Sequence, residues 1–175
     1  NVAYALSQFI RAMVSANSLC DKFLQHTANL SESQLNGFVI FTTEKGDCFH
    51  CHSVGLFTDN QFHNIGIDSV FTGYNMGRYN VTFNNSDIGL FKTPTLRNIA
   101  LTAPYMHDGR FQTLEQVVDH YNSRVKHSAT LDPIMTKPSK EFGLGLTPSQ
   151  KADLVAFLKT LTDTSYITNP LLSKP

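Results

Sequence analysis

Cys48-Phe49-His50-Cys51-His52 is the stretch on which the reading of this chain turns. A CxxCH pentapeptide is the attachment signature of a c-type haem: the two thiols add across the porphyrin vinyl groups, and the adjacent histidine becomes an axial iron ligand. With 3 cysteines and 7 histidines among 175 residues, such spacing is not expected by accident. A structural zinc site would ask for four ligands at their own spacing, and the remaining cysteine, Cys20, stands far upstream without a partner. A thioredoxin-like redox pair would need a strand before the CxxC, whereas the residues ahead of Cys48 read as a helix running into a Gly-containing loop.

The rest of the composition is compatible with one haem-binding core. Hydrophobic residues make up 41% and charged residues 16% of the chain, an ordinary globular balance, and the length suits one core with a short extra segment. The formal charge of +0 leaves no electrostatic footprint for nucleic acid or an anionic membrane. No apolar run approaches the length of a membrane span. The chain opens at Asn1, without Met, in what already reads as a helix, so a processed or truncated product is expected. Haem c is attached outside the bacterial cytoplasm, which makes the periplasm the expected location. Cys20 reads as a small buried hydrophobe.

Outward from the pentapeptide, the hydrophobic pattern predicts helices joined by long ordered loops. Val2, Leu6, Phe9, Ile10 and Met13 recur at helical spacing until Asn17-Ser18 ends the pattern. Ser31 with Gln34 forms a capping box that opens a second helix, reaching about Glu44 before Lys45-Gly46-Asp47 breaks it. From Ser53 to about Lys92 neither period persists, and the segment reads as loop wrapped on the haem. Thr113 and Gln116 start another helix, with Leu114, Val117, Val118 and Tyr121 on one face, so that Tyr121 points inward. Thr147, Pro148 and Gln150 open a terminal helix whose buried stripe is Leu154, Phe157, Leu158 and Leu161. The tail from Thr162 to Pro175 has little to pack. No strand or repeat is predicted, and the class is all-α.

His52 supplies one axial ligand, so the chemistry depends on what takes the sixth position. Met76, Met106, Met135, His63, His107, His120 and Tyr121 are the candidates. A methionine thioether is soft and stabilises ferrous iron; a tyrosine phenolate is hard and anionic and stabilises ferric iron. Composition does not choose between them.

The stretch Phe91-Lys92-Thr93-Pro94-Thr95-Leu96-Arg97-Asn98, followed by Leu101 to Gly109 (Leu-Thr-Ala-Pro-Tyr-Met-His-Asp-Gly), carries a resemblance. With the CxxCH, Phe57-Thr58-Asp59 and Phe62-His63-Asn64, it resembles the C-terminal haem domain of bacterial di-haem cytochrome c peroxidases and the related MauG-type enzymes. The likeness covers nearly the whole chain, including Asn17-Ser18 with Asp21-Lys22-Phe23 and the closing segment from Leu146 to Asp163. It implies a cytochrome c-like domain over residues 29–175, preceded by a linking helix in residues 1–28 left from an N-terminal haem domain.

The resemblance also implies site roles. Cys48, Cys51 and His52 match the family's second CxxCH. The family's distal ligand lies fourteen residues beyond the histidine of the PYxHDG-like motif, which from His107 lands on Tyr121; peroxidases commonly have methionine there and MauG-like members tyrosine. Met76 and Met106 are the alternatives. Main-chain carbonyls matching Thr102 and Pro104 bind calcium in the family, and Arg97 and His107 would reach the haem propionates. The family carries two haems and this chain one CxxCH. The expectation is therefore a fragment holding one covalent haem c, relaying electrons between a small redox protein (cytochrome c or cupredoxin) or an oxidisable protein substrate and a peroxide-reactive haem on the N-terminal domain. Alone, the chain is expected not to turn over peroxide. A stand-alone monohaem electron carrier is the alternative.

Overall fold

The computed structural model describes residues 1–138, 140, 141 and 143–173; the last two residues of the expected tail, Lys174 and Pro175, lie outside the described residues. Its helices are α1 (Val2–Ala12), α2 (Leu19–Leu24), α3 (Glu32–Phe41), α4 (Tyr79–Thr82), α5 (Leu114–Ser123), α6 (Pro148–Lys159) and α7 (Thr164–Ile167). Long loops with short 3-10 turns connect them. The all-α reading holds, with one addition: β1 (Phe62–His63) pairs antiparallel with β2 (Phe91–Lys92), Phe62 opposite Lys92 and His63 opposite Phe91. Two residues per strand are too few to show an alternating pattern, so the ladder is invisible until the loop closes on itself.

The predicted caps of the three central helices are all present. Ser31, Thr113 and Thr147 each accept the backbone N–H three residues on, and Gln34, Gln116 and Gln150 return to the cap N–H. Helix α3 stops at Phe41, three residues before the expected Glu44. The Thr42 and Thr43 hydroxyls donate back to the Phe38 and Val39 carbonyls, at 2.8 and 2.7 Å, closing the helix end ahead of the turn at Gly46.

Helices α3 and α6 cross to form the core. Gly37 makes the crossing close: a Cβ at this position would stand 2.0 Å from the Asp153 carbonyl oxygen and 2.8 Å from Phe157 Cβ, so no larger residue fits without separating the helices. Phe157, fully buried, meets Phe38 and Phe41 at ring-centroid distances of 5.4 and 5.1 Å, and Phe41 meets Phe57 at 6.0 Å. Burying a side chain of this size stabilises by about 1.5–3 kcal/mol, and the predicted stripe of Leu154, Phe157, Leu158 and Leu161 lies wholly inside. Cys20 is fully buried in the same core, as its apolar reading required.

The first helix forms but ends at Ala12 rather than near Asn17. Buried Asp163 draws the next residues away, accepting the Ala16 and Asn17 N–H groups at 3.0 and 2.9 Å. Helix α1 buries no residue: Val2, Leu6, Phe9, Ile10 and Met13 are all exposed. The short helix α2, which hydrophobic spacing did not reveal, is opened by a Ser18–Asp21 capping box.

Candidate haem site

The CxxCH segment sits on a 3-10 turn, Cys48–His50, entered from Asp47 in the left-handed conformation (φ 57). Both thiols are free rather than paired in a disulfide. Burial pushes Cys48 up to about 12, with the nearby Asp47 charge adding to it, and pushes Cys51 up to about 11, reinforced by Asp59 and Asp132. The thiols are therefore neutral at pH 7. His52 packs behind them, its Nδ1 2.9 Å from the Phe57 carbonyl. Donation from Nδ1 to that carbonyl leaves the Nε2 lone pair free, the tautomer an iron ligand requires. Burial lowers the His52 pKa against the pull of the carbonyl, so the ring stays neutral.

These three residues open onto a cavity of about 660 Å³, within the range of cofactor sites. Its wall is largely apolar, including Phe41, Ile65, Phe91, Leu96, Leu114, Val118, Leu154 and Leu158. Tyr121 also lines it, as the α5 pattern predicted. Burial raises the Tyr121 phenol well above its ordinary value, and the nearby Cys48 and Cys51 push the same way. Among the described residues its hydroxyl has no hydrogen-bond partner. The residue is half-buried and its oxygen opens to the cavity, so it is available to a ligand there.

The other candidates for the sixth position separate by geometry. Met106 and Met135 line the cavity, whereas Met76, in the 3-10 turn Gly73–Met76, does not. His120 is buried beside Tyr121 on α5, but its Nε2 lies 2.9 Å from the Ile65 carbonyl and it does not reach the cavity wall. His63 lines the cavity with both ring nitrogens held by carboxylates, Nε2 by Asp59 at 2.8 Å and Nδ1 by Asp132 at 2.5 Å. His107 lines it too, stacked on Phe91 with ring centroids 3.7 Å apart and Nε2 3.2 Å from Asn75 Oδ1. Burial lowers the His107 pKa, which favours a neutral ring.

Arg97 reaches the cavity wall already engaged. Its Nη1 and Nη2 donate to the two Asp21 oxygens at 2.9 and 2.8 Å, and Nε and Nη2 donate to the Gly55 carbonyl at 3.0 and 2.6 Å. This bidentate pair ties α2 to the loop after the haem motif. Thr102 and Pro104 line the cavity near its PYxHDG-like segment.

Two charge clusters beside the cysteines were not assigned from the sequence. Lys137 Nζ contacts Glu44, Asp47 and His50 at 2.7, 2.9 and 3.1 Å, and Lys140 also pairs with Asp47. The Lys137 ammonium thereby occupies the position a metal ion would take among Glu44, Asp47 and His50. The second cluster is Asp59–His63–Asp132. Its Phe-Thr-Asp and Phe-His-Asn motifs were visible as signals, but Asp132 lies far along the chain with no pattern to connect it.

The donor set fits a covalent haem. Two free thiols, an imidazole nitrogen freed by its partner bond, an unpartnered phenol and an apolar cavity converge on one space.

Comparison with known proteins agrees. The family model described as cytochrome c matches residues 35–162. Cytochrome-c peroxidase IdrP2 of Denitromonas iodatirespirans is 33% identical over 184 residues, spanning 90% of this chain and 47% of the relative. Methylamine utilization protein MauG of Methylorubrum extorquens is 35% identical, spanning 98% and 47%. The crystal structure of a MauG-like protein associated with microbial copper homeostasis superposes with a TM-score of 0.83 at 38% identity, covering 92% of this chain and 52% of that one. The chain thus spans about half the length of the relatives it matches.

Proposed function

This chain belongs to the cytochrome c family, with MauG and cytochrome c peroxidases among its relatives, and we propose that it is the covalent haem c electron-transfer domain of a periplasmic di-haem peroxidase or MauG-like oxidoreductase. The observation that carries this reading is the convergence of Cys48, Cys51, His52 and the unpartnered Tyr121 phenol on one cavity. Haem c, when bound, supplies a one-electron iron couple. Cys48 and Cys51 would hold it through thioethers. His52 would present Nε2, oriented by the Phe57 carbonyl.

Tyr121 would be the second residue to hold the iron. Burial keeps its phenol protonated, so Tyr121 would lose that proton to solvent only when its oxygen binds a cation within the cavity, such as the haem iron. A hard phenolate favours the ferric state, which supports the MauG-like branch over a methionine-ligated peroxidase. Met106 is the better placed of the two alternatives, since it lines the cavity and Met76 does not. Arg97 retains one N–H beyond those engaged by Asp21 and Gly55, which it can offer to a propionate. With Nε2 held by Asn75 Oδ1, His107 would donate to a propionate from Nδ1 only on gaining a second proton. The Thr102 and Pro104 carbonyls would contribute hard oxygen ligands to a calcium ion shared with the further domain.

The relatives' greater length supports a partner domain bearing the peroxide-reactive haem, with the exposed apolar stripe of α1 in residues 1–28 facing it. In this arrangement the domain would pass electrons between that haem and a small redox protein or an oxidisable protein substrate. With His52 and Tyr121 both holding the iron, peroxide would have no place to bind. The test is a pyridine haemochrome count with the intact mass of the native protein, followed by peroxide turnover with a reduced small cytochrome. Two haems and turnover only in the two-haem form are expected. One haem per native protein would favour the stand-alone carrier, and sustained turnover by residues 1–175 alone would overturn the relay.

A further inference from the structure

The Asp59–His63–Asp132 cluster stands against the cofactor attachment yet has no part in holding the haem. Cys51 Sγ, an Asp59 oxygen and a His63 nitrogen all lie within 4.8 Å of one another. A metal ion would need a free imidazole lone pair, and both His63 nitrogens already face carboxylate oxygens, at 2.8 and 2.5 Å. Two such bonds are satisfied together by an imidazolium, which donates from both nitrogens, whereas a neutral ring donates from one.

Each carboxylate also accepts a backbone donor. Asp59 Oδ1 accepts the Gln61 N–H at 2.8 Å, and Asp132 Oδ1 accepts the Ile134 N–H at 2.9 Å. Burial by itself would lower the His63 pKa, but Asp132 and then Asp59 outweigh it and the value is raised. For Asp59 burial would raise the pKa, but Gln61, His63 and Thr93 bring it below the ordinary carboxylate value. Two carboxylates and one imidazolium leave the cluster with one net negative charge. Its field reaches the attachment residues: Asp59 and Asp132 raise Cys51, and Asp59 and His63 act on His52.

We propose that Asp59, His63 and Asp132 are positioning residues that set the reduction potential of the haem, their net negative charge beside Cys51 favouring the ferric state. This rests on the reading of the cavity as a covalent haem c site and adds a second anionic influence to that of the Tyr121 phenolate. The other charged groups at the cavity wall are matched, Arg97 by Asp21 and Lys140 by Asp47, or carry no carboxylate partner, as with Lys92, whose Nζ donates to Asn60 Oδ1 at 2.8 Å. Of the triad only His63 lines the cavity, with Asp59 and Asp132 held on its two nitrogens, and among the described residues it is the one group reaching this wall in which anions outnumber the cation they hold.

The test compares the potential of this haem in the holoprotein with Asp132→Asn, Asp59→Asn and His63→Gln at about pH 5.5, below the ordinary imidazole value, so that His63 keeps its proton beside a single carboxylate. Removing one carboxylate leaves the cluster neutral, so either Asn variant should lower the ferric-to-ferrous ratio at fixed applied potential about tenfold, a rise of about 59 mV for a one-electron couple. Removing the imidazolium leaves two facing anions, so His63→Gln should move the ratio in the other direction. A merely structural role would loosen the pocket and shift all three the same way. Shifts of one sign, or none, overturn the proposal, and if His63→Gln does not fold, two Asn variants without a rise are sufficient to do so. Absence of covalent haem in the unsubstituted protein would instead sink the haem reading.

Discussion

The attachment segment and the Tyr121 segment line one cavity but are specified differently. Cys48 to His52 is contiguous, its turn set by Asp47 and its histidine oriented by Phe57 only five residues on. Tyr121 stands on another helix, and its place depends on the α5 cap, on the packing of Leu114 and Val118, and on the α3–α6 crossing beneath. The difference teaches that the first half of the site tolerates loss of packing, while the second is only as accurate as the core.

The comparison can be broken first at its local end. Cys48→Ala with Cys51→Ala should abolish covalent haem entirely, read as loss of haem stain on a denaturing gel, while the core helices remain by circular dichroism. Next, Phe157→Ala removes the ring on which Phe38 and Phe41 pack and should cost about 3–5 kcal/mol in denaturant unfolding, displacing Tyr121 before it displaces His52. Retention of the native haem spectrum at that cost would contradict the dependence of the Tyr121 segment on the core.

Tyr121→Met sharpens the contrast without changing the fold. It should bring the near-infrared band of methionine-to-ferric-haem ligation and raise the potential; an unchanged spectrum would remove Tyr121 from the iron. Acid titration separates the two segments further. The Asp21 carboxyl is depressed, burial being outweighed by the Arg97 and Ser18 bonds, so its stabilisation is present above about pH 4 and lost as pH falls through the lower folded value. Asp21→Asn should flatten the stability profile in that window. Smallest of all, Thr113→Ala removes the α5 cap and should cost about 1 kcal/mol by thermal or denaturant unfolding.

Much of this was legible without coordinates. The CxxCH, the three capping boxes and the inward phase of Tyr121 are local patterns, and the motif around His107 carried the family likeness. Less legible were the end of α3 at Phe41, where two threonine hydroxyls close the helix, and the β1–β2 ladder. Helix α1 shows the limit of periodicity: its apolar stripe is as regular as that of α6, yet α6 is buried and α1 is not. A hydrophobic repeat specifies a helix and a face, not the partner.

By itself the sequence pointed to a covalent haem site and predicted an all-α domain, because thiol spacing, an adjacent imidazole and helix caps act over a few residues. Only the tertiary structure decided which charges stand beside that site. Arg97 meets Asp21, Lys137 meets Asp47 and His63 meets Asp132 across long stretches of chain. An ion pair is set by distance in space and by the loss of water around it, and neither exists until the loops have closed over the cavity.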